Sequence, residues 1–114
     1  MYKFGTIVLI PFPFTDLTST KLRPALIISR TDPKGEDIVV VFITSRNFSH
    51  QGRTHFALTM DNTHFAKTGL KTDSIFRCDK IATLSKKLIL GELGALHPSL
   101  LKKVEIKLNA SFGF

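Results

Sequence analysis

Two long apolar runs separated by a turn constrain the fold of this chain more than any other feature of its sequence. The first run, Arg23–Ser29, and the second, Asp37–Thr44, are near-continuous stretches of aliphatic and β-branched residues. Such runs are typical of strands that are buried on both faces. The residues Asp32-Pro33-Lys34-Gly35 between them have the composition of a tight turn. Together the three segments predict a buried β-hairpin.

The position of the turn sets which residues of this hairpin face each other. A hairpin that is symmetric about its turn places Arg23 opposite Thr44, on one face at the open end. The same register places Arg30 opposite Asp37 as a cross-strand charge pair. A bulge would shift the register by one residue and bring Ser45 to Arg23 instead.

Further short strands and one helix complete the predicted organisation. Strands are predicted at Thr6–Phe12, His55–Met60, Ser74–Arg77 and Asp79–Leu84, with polar loops at Pro13–Leu22 and Ser45–Thr54. Leu88–Leu93 is compatible with a strand or a helix. Apolar residues recur at helical spacing after Pro98, so residues 98–110 are predicted to form an amphipathic helix. The fold class is therefore mainly β with helices (α+β), a small bent sheet or barrel closed by a C-terminal helix.

Composition limits the classes of partner and compartment. The 114 residues are expected to form a single domain, 1–114. Sixteen Lys and Arg against nine Asp and Glu give a net charge of +7, which favours nucleic acid, an anionic membrane surface or an acidic protein segment. The single cysteine excludes an internal disulfide and a cysteine zinc site. The early apolar run Ile7–Ile10 is too short for a signal-peptide core or a membrane span, so a reducing, cytoplasmic location is expected.

Two clusters of residues remain as candidates for chemistry, since the sequence has no phosphate-binding glycine loop, no HExxH motif and no serine nucleophile elbow. The first joins Arg23 to Thr44 and Ser45, as either an anion site or an ordinary surface strand end. In the second, Arg77 and Asp79 share one strand face and form either an exposed ion pair or a cation and carboxylate beside a substrate. Cys78 between them points to the other face and is expected in the core.

No metal or cofactor is predicted, because the four histidines lack metal-ligand spacing. His50 and His55 lie in a basic segment, where they are either solvated surface residues or contacts to a nucleic acid.

An ordered set of motifs resembles one known family. The set consists of Gly5-Thr6-Ile7-Val8-Leu9-Ile10-Pro11-Phe12-Pro13-Phe14-Thr15-Asp16, Lys21-Leu22-Arg23-Pro24-Ala25-Leu26-Ile27-Ile28-Ser29, Ile43-Thr44-Ser45, Thr68-Gly69-Leu70-Lys71-Thr72-Asp73-Ser74 and Arg77-Cys78-Asp79-Lys80-Ile81-Ala82-Thr83-Leu84. In this order they resemble the PemK/MazF (Kid-like) toxins of type II toxin–antitoxin systems, over nearly the whole chain. The resemblance implies an SH3-like barrel, usually a homodimer, of the type also found in CcdB.

The same resemblance implies an activity and partners. It implies metal-independent cleavage of single-stranded RNA, in which the 2′-hydroxyl attacks the adjacent phosphate and leaves a 2′,3′-cyclic phosphate and a 5′-hydroxyl. An acidic antitoxin protein is the implied regulatory partner, in keeping with the net positive charge. Two alternatives stay open: a non-catalytic toxin of this fold that binds DNA gyrase, and a nucleic-acid-binding barrel without chemistry.

Site residues follow from the resemblance position by position. MazF-like enzymes imply Arg23 and Thr44 as the central catalytic pair, and Kid-like enzymes imply Arg77 and Asp79, with Asp79 as the candidate base. The implied RNA-binding residues are Ser45, Arg53, Phe56, Lys71, Ser74 and Ile75. Core packing is the alternative for Phe56.

Two departures from the family pattern stand out. Thr6 replaces the usual acidic residue after the first glycine, and residues 13–22 lack the catalytic histidine of Kid-like enzymes.

Overall fold

Six antiparallel strands form one curled sheet in this computed structural model, which describes residues 3–11, 21–30, 35–46 and 52–114. The strands are β1 (Thr6–Pro11), β2 (Leu22–Ile27), β3 (Asp37–Thr44), β4 (His55–Leu58), β5 (Ser74–Ser85) and β6 (Gly91–Ala95). Their order across the sheet is β4-β5-β3-β2-β1-β6. A helix, α1 (Pro98–Phe112), closes this half-barrel, and 3-10 turns lie at Ala66–Thr68 and Lys86–Leu88. The predicted mainly-β sheet closed by a C-terminal helix is confirmed.

The central hairpin has the predicted register. Ala25 pairs with Phe42 and Leu26 with Val41, and both pairs belong to the arrangement that is symmetric about the turn. The charge pair predicted at the closed end is wrong, because Arg30 and Asp37 are exposed and form no ion pair with each other. Two solvated side chains gain little from such a contact and lose rotamer freedom in making it.

Apolar residues alternate between the two faces of the strands and fill two clusters. The cluster under α1 contains Ile7, Leu26, Val41, Ile43, Phe56, Phe76, Cys78, Leu100 and Val104. The cluster on the opposite strand face contains Val8, Ile10, Ala25, Ile27, Ile38, Val40 and Phe42. Burial on both faces explains why the central strands read as continuous apolar runs rather than as alternating ones.

Strand β5 is irregular where the sequence predicted a gap between two extended segments. Its pairing with β3 jumps from Phe42–Arg77 to Val41–Ile81, which leaves residues 78–80 without partners on β3. Unpaired residues of this kind bend a strand and re-aim its side chains. The bulge therefore carries Asp79 out of the regular ladder beside Arg77.

The helix and the segment before it refine two further predictions. α1 extends two residues past the predicted 98–110 because Gly113, with φ 78°, provides the left-handed C-terminal cap. Pro98 occupies the first turn, and the His97 side chain accepts a hydrogen bond from the Ser99 amide. The segment that was compatible with strand or helix forms a 3-10 turn followed by β6.

Thr6, which stands where the resemblance expects an acidic residue, has a local structural role. Its side chain is buried, and its hydroxyl oxygen accepts a hydrogen bond from the Lys3 amide at 3.2 Å.

Several predicted segments lie partly or wholly outside the described residues: Phe12 of the first strand, residues 13–20 of the first loop, residues 32–34 of the turn and residues 47–51 of the second loop with His50. Across the four described ranges, no helix combines the length and the apolar character that a membrane span requires.

Candidate functional site

Three of the predicted catalytic residues share one face of the sheet. Continuing the β2–β3 register by two residues from Ala25–Phe42 places Arg23 opposite Thr44. Phe42 pairs with Arg77 on β5, and side chains that are opposite each other, or two residues apart on a strand, point to the same face. Arg23, Thr44 and Arg77 are therefore displayed together across β2, β3 and β5.

A pocket of about 300 Å³ opens where β2 begins and β3 ends. Arg23, Thr44 and Ser45 line it from the two strands, and Gly69–Thr72 with Ser74 form the opposing wall. Its apolar lining comes from Leu9, Leu22, Pro24, Ile43, Leu70 and Leu93. Arg23 and Thr44 are thus both among the residues that line this concavity, and a guanidinium beside a hydroxyl is the chemistry of an anion site.

The Thr44 hydroxyl is fixed locally, since its oxygen accepts the Arg46 amide at 3.1 Å. This bond leaves the hydroxyl proton available as a donor to a ligand. Ser45 and Arg46 are exposed at the same rim.

A second polar cluster lies beside this pocket on the sheet face. Arg77 donates two parallel hydrogen bonds to Asp79, from Nε to Oδ1 at 2.8 Å and from Nη2 to Oδ2 at 2.9 Å. Nε2 of His55, whose backbone pairs with Arg77 across β4 and β5, lies 3.3 Å from Oδ1 of the same carboxylate. Both carboxylate oxygens of Asp79 are therefore engaged.

The hydrogen bonds of His55 define its tautomer. The Gly52 amide donates to Nδ1 at 2.9 Å, and a backbone N–H cannot accept a proton in return. Nδ1 is therefore unprotonated in this arrangement, and Nε2 carries the proton that faces Asp79.

The charges of the cluster reinforce one another. The hydrogen bonds from Arg77 are the main cause that lowers the pKa of Asp79 to about 2, with a smaller contribution from His55 and an opposing one from burial. The same pairing raises the pKa of Arg77. A carboxylate with so low a pKa is a weak base. Asp79 is better suited to holding Arg77 and His55 in place than to removing a proton.

We expect Asp79→Asn to lower the free energy of unfolding at pH 7 by on the order of 1 kcal/mol, a figure reduced for solvent screening because about a third of the carboxylate is exposed. The folded-state pKa lies below the unfolded value, so this stabilisation is present above about pH 4 and is lost as the pH falls through about 2. Urea unfolding of the parent and the variant at pH 7 and pH 2.5 measures the difference between their free energies of unfolding, which should be smaller at pH 2.5. Glu105→Gln, on an exposed position of α1, is the matched control and should show no such narrowing.

A family comparison decides where the chain belongs. A family model described as "PemK-like, MazF-like toxin of type II toxin-antitoxin system" matches residues 3–112. The chain belongs to this family. No protein of curated function matches it closely in sequence.

Several solved structures share the fold. An endoribonuclease in complex with its cognate antitoxin from Mycobacterial species is 21% identical, with a TM-score of 0.78, 100% of this chain covered and 97% of that one. The Mycobacterium tuberculosis toxin MazF-mt6 is 21% identical, with a TM-score of 0.76 and coverage of 96% and 97%. MazE–MazF from Deinococcus radiodurans is 22% identical, with a TM-score of 0.72 and coverage of 99% and 97%.

The predicted RNA-binding residues of this PemK-like, MazF-like chain lie in three places: the pocket, an exposed turn at Arg53, and buried strand positions. Ser45, Lys71 and Ser74 line the pocket, although Ser74 is buried and its hydroxyl donates to the Thr72 carbonyl at 2.8 Å. Arg53 is exposed next to Gly52, which holds the imidazole of His55.

Phe56 and Ile75 have no face open to a nucleotide base. Phe56 is 8% exposed and lies in the cluster under α1, with its ring centroid 5.6 Å from that of Phe76. Ile75 is 1% exposed. The expected stacking of a base on Phe56 does not fit this packing, because strand alternation turns the ring to the face opposite Arg77; its core alternative is what the structure shows.

Cys78 is core, as predicted from strand alternation. It is fully buried, and burial is the main cause that raises the pKa of its thiol to about 12. A protonated, enclosed thiol is not a nucleophile.

His55 is the site residue whose role sequence reasoning missed. Its neighbours Phe56 and Leu58 are buried, so the alternation of β4 indicates that His55 faces the polar side of the sheet. That signal was present in the sequence, but the pairing of β4 with β5 that brings His55 to Asp79 was not. Among the described residues, no group of three or more His, Cys, Asp or Glu side chains is arranged to hold a metal ion.

Proposed function

We propose that this chain is an endoribonuclease toxin that cleaves single-stranded RNA without a metal ion. The supporting observation is the convergence of Arg23 and Thr44 on one pocket, beside the Arg77–Asp79–His55 cluster on the same sheet face. Membership of a toxin family supports the biological role. The 2′-oxygen of the RNA attacks the adjacent phosphorus, the bond to the 5′-oxygen breaks, and a 2′,3′-cyclic phosphate and a 5′-hydroxyl result.

The scissile phosphate binds between Arg23 and Arg77. Their strands are two positions apart in the sheet and the two residues are offset by two positions along the strands, about 12 Å between backbones, which two long side chains on one face can span. Two fixed guanidinium groups stabilise the charge that develops on the pentacoordinate phosphorus. Thr44 donates its hydroxyl proton to the same anion.

His55 is the proton-transfer residue, and Asp79 is its positioning residue. Asp79 holds the Nε2 proton, so Nδ1 is the nitrogen that can take the proton from the 2′-hydroxyl once the substrate displaces the Gly52 amide. The carboxylate then stabilises the imidazolium that forms. The leaving 5′-oxygen takes its proton from water, since an arginine paired with a carboxylate is a poor acid.

The decisive experiment incubates the purified full chain with mixed RNA and excess EDTA, and then maps the product ends. We expect cleavage with 2′,3′-cyclic phosphate and 5′-hydroxyl ends, and no cleavage at a linkage with a 2′-deoxyribose on its 5′ side. Cleavage that needs Mg²⁺, or products with 5′-phosphate ends, would contradict the mechanism. Intact RNA together with inhibited supercoiling would identify a gyrase-binding toxin instead.

Substitution of His55 tests the proton-transfer role. His55→Gln retains a side-chain N–H near Asp79 but cannot take up a proton, so we expect cleavage to slow by roughly 100- to 10,000-fold with the fold retained. His64→Gln, at a histidine away from this cluster, serves as the control. A His55→Gln protein that cuts RNA at the parent rate would remove His55 from the mechanism.

An acidic antitoxin completes the proposal, together with the homodimer that the family resemblance implies. Two of the similar structures are complexes. One is described as an endoribonuclease with its cognate antitoxin, and the other as MazE–MazF. The net charge of +7 and the cationic pocket of this chain suit an acidic antitoxin segment that blocks the site.

A further inference from the structure

The ionic side chains around the pocket are all cations, and its other polar side chains are all hydroxyls. The ionic ones are the cations Arg23 and Lys71, and the uncharged ones are the hydroxyls of Thr44, Ser45, Thr72 and Ser74. Neither a carboxylate nor a carboxamide side chain stands among these described lining residues. Arg23 and Lys71 therefore offer a ligand only hydrogen-bond donors, whereas each hydroxyl can donate or accept.

Lys71 is the strongest donor left for a pocket ligand besides the phosphate-binding Arg23. The Ser74 hydroxyl is committed to the Thr72 carbonyl, and the mechanism proposed above gives the Thr44 proton to the phosphate. Lys71 is exposed at the rim, and within the described part of the chain its ammonium group pairs with no carboxylate. Its three N–H donors can therefore turn toward a bound group.

The size and floor of the pocket suit a single nucleobase. A volume of about 300 Å³ is at the small end for ligand sites, and Leu9, Pro24, Ile43 and Leu70 supply apolar surface for the ring faces. The same lining includes Arg23 and Thr44, so the occupant would be part of the nucleotide whose phosphate they bind.

On the premise of the proposed ribonuclease function, we propose that this pocket selects guanine or uracil over adenine or cytosine, with Lys71 as the selecting residue. Guanine O6 and N7 and uracil O4 are acceptors, which complement the ammonium group of Lys71, a side chain with donors only. Adenine and cytosine place an amino donor, N6 or N4, where guanine and uracil have the carbonyl. An unstacked base in single-stranded RNA exposes these edges for such contacts.

The cleavage test compares substrates that differ at one functional group. Mapped cuts in a random RNA pool should be enriched in guanine or uracil on one side of the cut. Inosine at that position, which keeps O6, should be cut about tenfold faster than adenosine, which carries N6 instead. Lys71→Met should reduce this ratio to less than about twofold, whereas Lys67→Met, an exposed lysine outside the lining, should leave it unchanged. Equal cutting of inosine and adenosine substrates by the parent overturns the proposal.

A binding measurement separates this inference from the ribonuclease function. Fluorescence anisotropy with RNA made uncleavable by one 2′-deoxyribose, carrying inosine or adenosine at each flanking position, should show about tenfold tighter binding of inosine at one position. Loss of that preference in Lys71→Met, with the fold intact by circular dichroism, supports the assignment. Equal binding overturns base selection even if RNA is cut. Selective binding without any cleavage of unmodified RNA overturns the ribonuclease function and leaves base selection standing, and failure to bind any RNA overturns both.

Discussion

Arg23→Ala is expected to reduce the rate of RNA cleavage by roughly 100- to 1,000-fold while the protein stays folded. The estimate is the cost of removing one preorganised donor to the transition-state anion. Arg23 is half-buried at the start of β2 and lines the pocket with Thr44, so its charge is held at the site rather than in bulk solvent. Arg23→Lys should also be impaired, because an ammonium group cannot reproduce the planar two-donor geometry of a guanidinium. Initial rates on a single-stranded oligonucleotide in EDTA measure both variants.

Arg30→Ala is the matched control, since Arg30 follows β2 at its other end and is exposed. It removes the same charge from the protein and should leave the rate within about twofold of the parent. Equal losses in both variants would indicate a general effect of net charge on RNA binding. Full activity of Arg23→Ala would refute the central assignment.

Gly94→Ala is expected to lower the free energy of unfolding by roughly 3 kcal/mol. A Cβ at Gly94 would lie 2.2 Å from the carbonyl oxygen of Lys67 and 2.6 Å from the carbonyl carbon of Thr68, and backbone atoms cannot turn aside as a side chain can. Gly69→Ala should lower the free energy of unfolding by at least as much. Its Cβ would lie 2.1 Å from the Leu93 oxygen, and its φ of 73° is in the left-handed region. Urea denaturation followed by circular dichroism gives these differences.

Gly91→Ala provides the control on the same strand, because a Cβ there meets no atom within 4 Å. It should change stability by less than about 1 kcal/mol. If Gly94→Ala and Gly91→Ala prove equally stable, the close backbone contact between the 3-10 turn and β6 does not hold the pocket wall in place.

The central hairpin shows what the sequence can predict. Two adjacent runs joined by a short turn have few alternative registers, and apolar residues on both faces exclude a slip into solvent. The placement of Arg23 opposite Thr44 followed from that register. The burial of Cys78 and the shared face of Arg77 and Asp79 followed from the two-residue period of a strand.

The rest of the site depends on contacts between distant segments, for which a single sequence gives no register. His55 meets Asp79 only because β4 pairs with the first residues of β5 and because β5 bulges immediately afterwards. The pocket wall that carries Lys71 is positioned by the close backbone approach at Gly69 and Gly94. For Phe56 the core alternative holds, because the phase of β4 turns its ring to the face opposite His55.

The enclosed thiol of Cys78 has a practical consequence for work on this protein. The chain contains one cysteine, which is fully buried and remains protonated at neutral pH. Spin labels and fluorescent maleimides react with exposed thiolates, so the unmodified protein should stay unlabelled under native conditions. A cysteine introduced at the pocket rim, at Ser45 for example, would then be the single labelled position, and its signal would report binding of a partner without prior removal of Cys78.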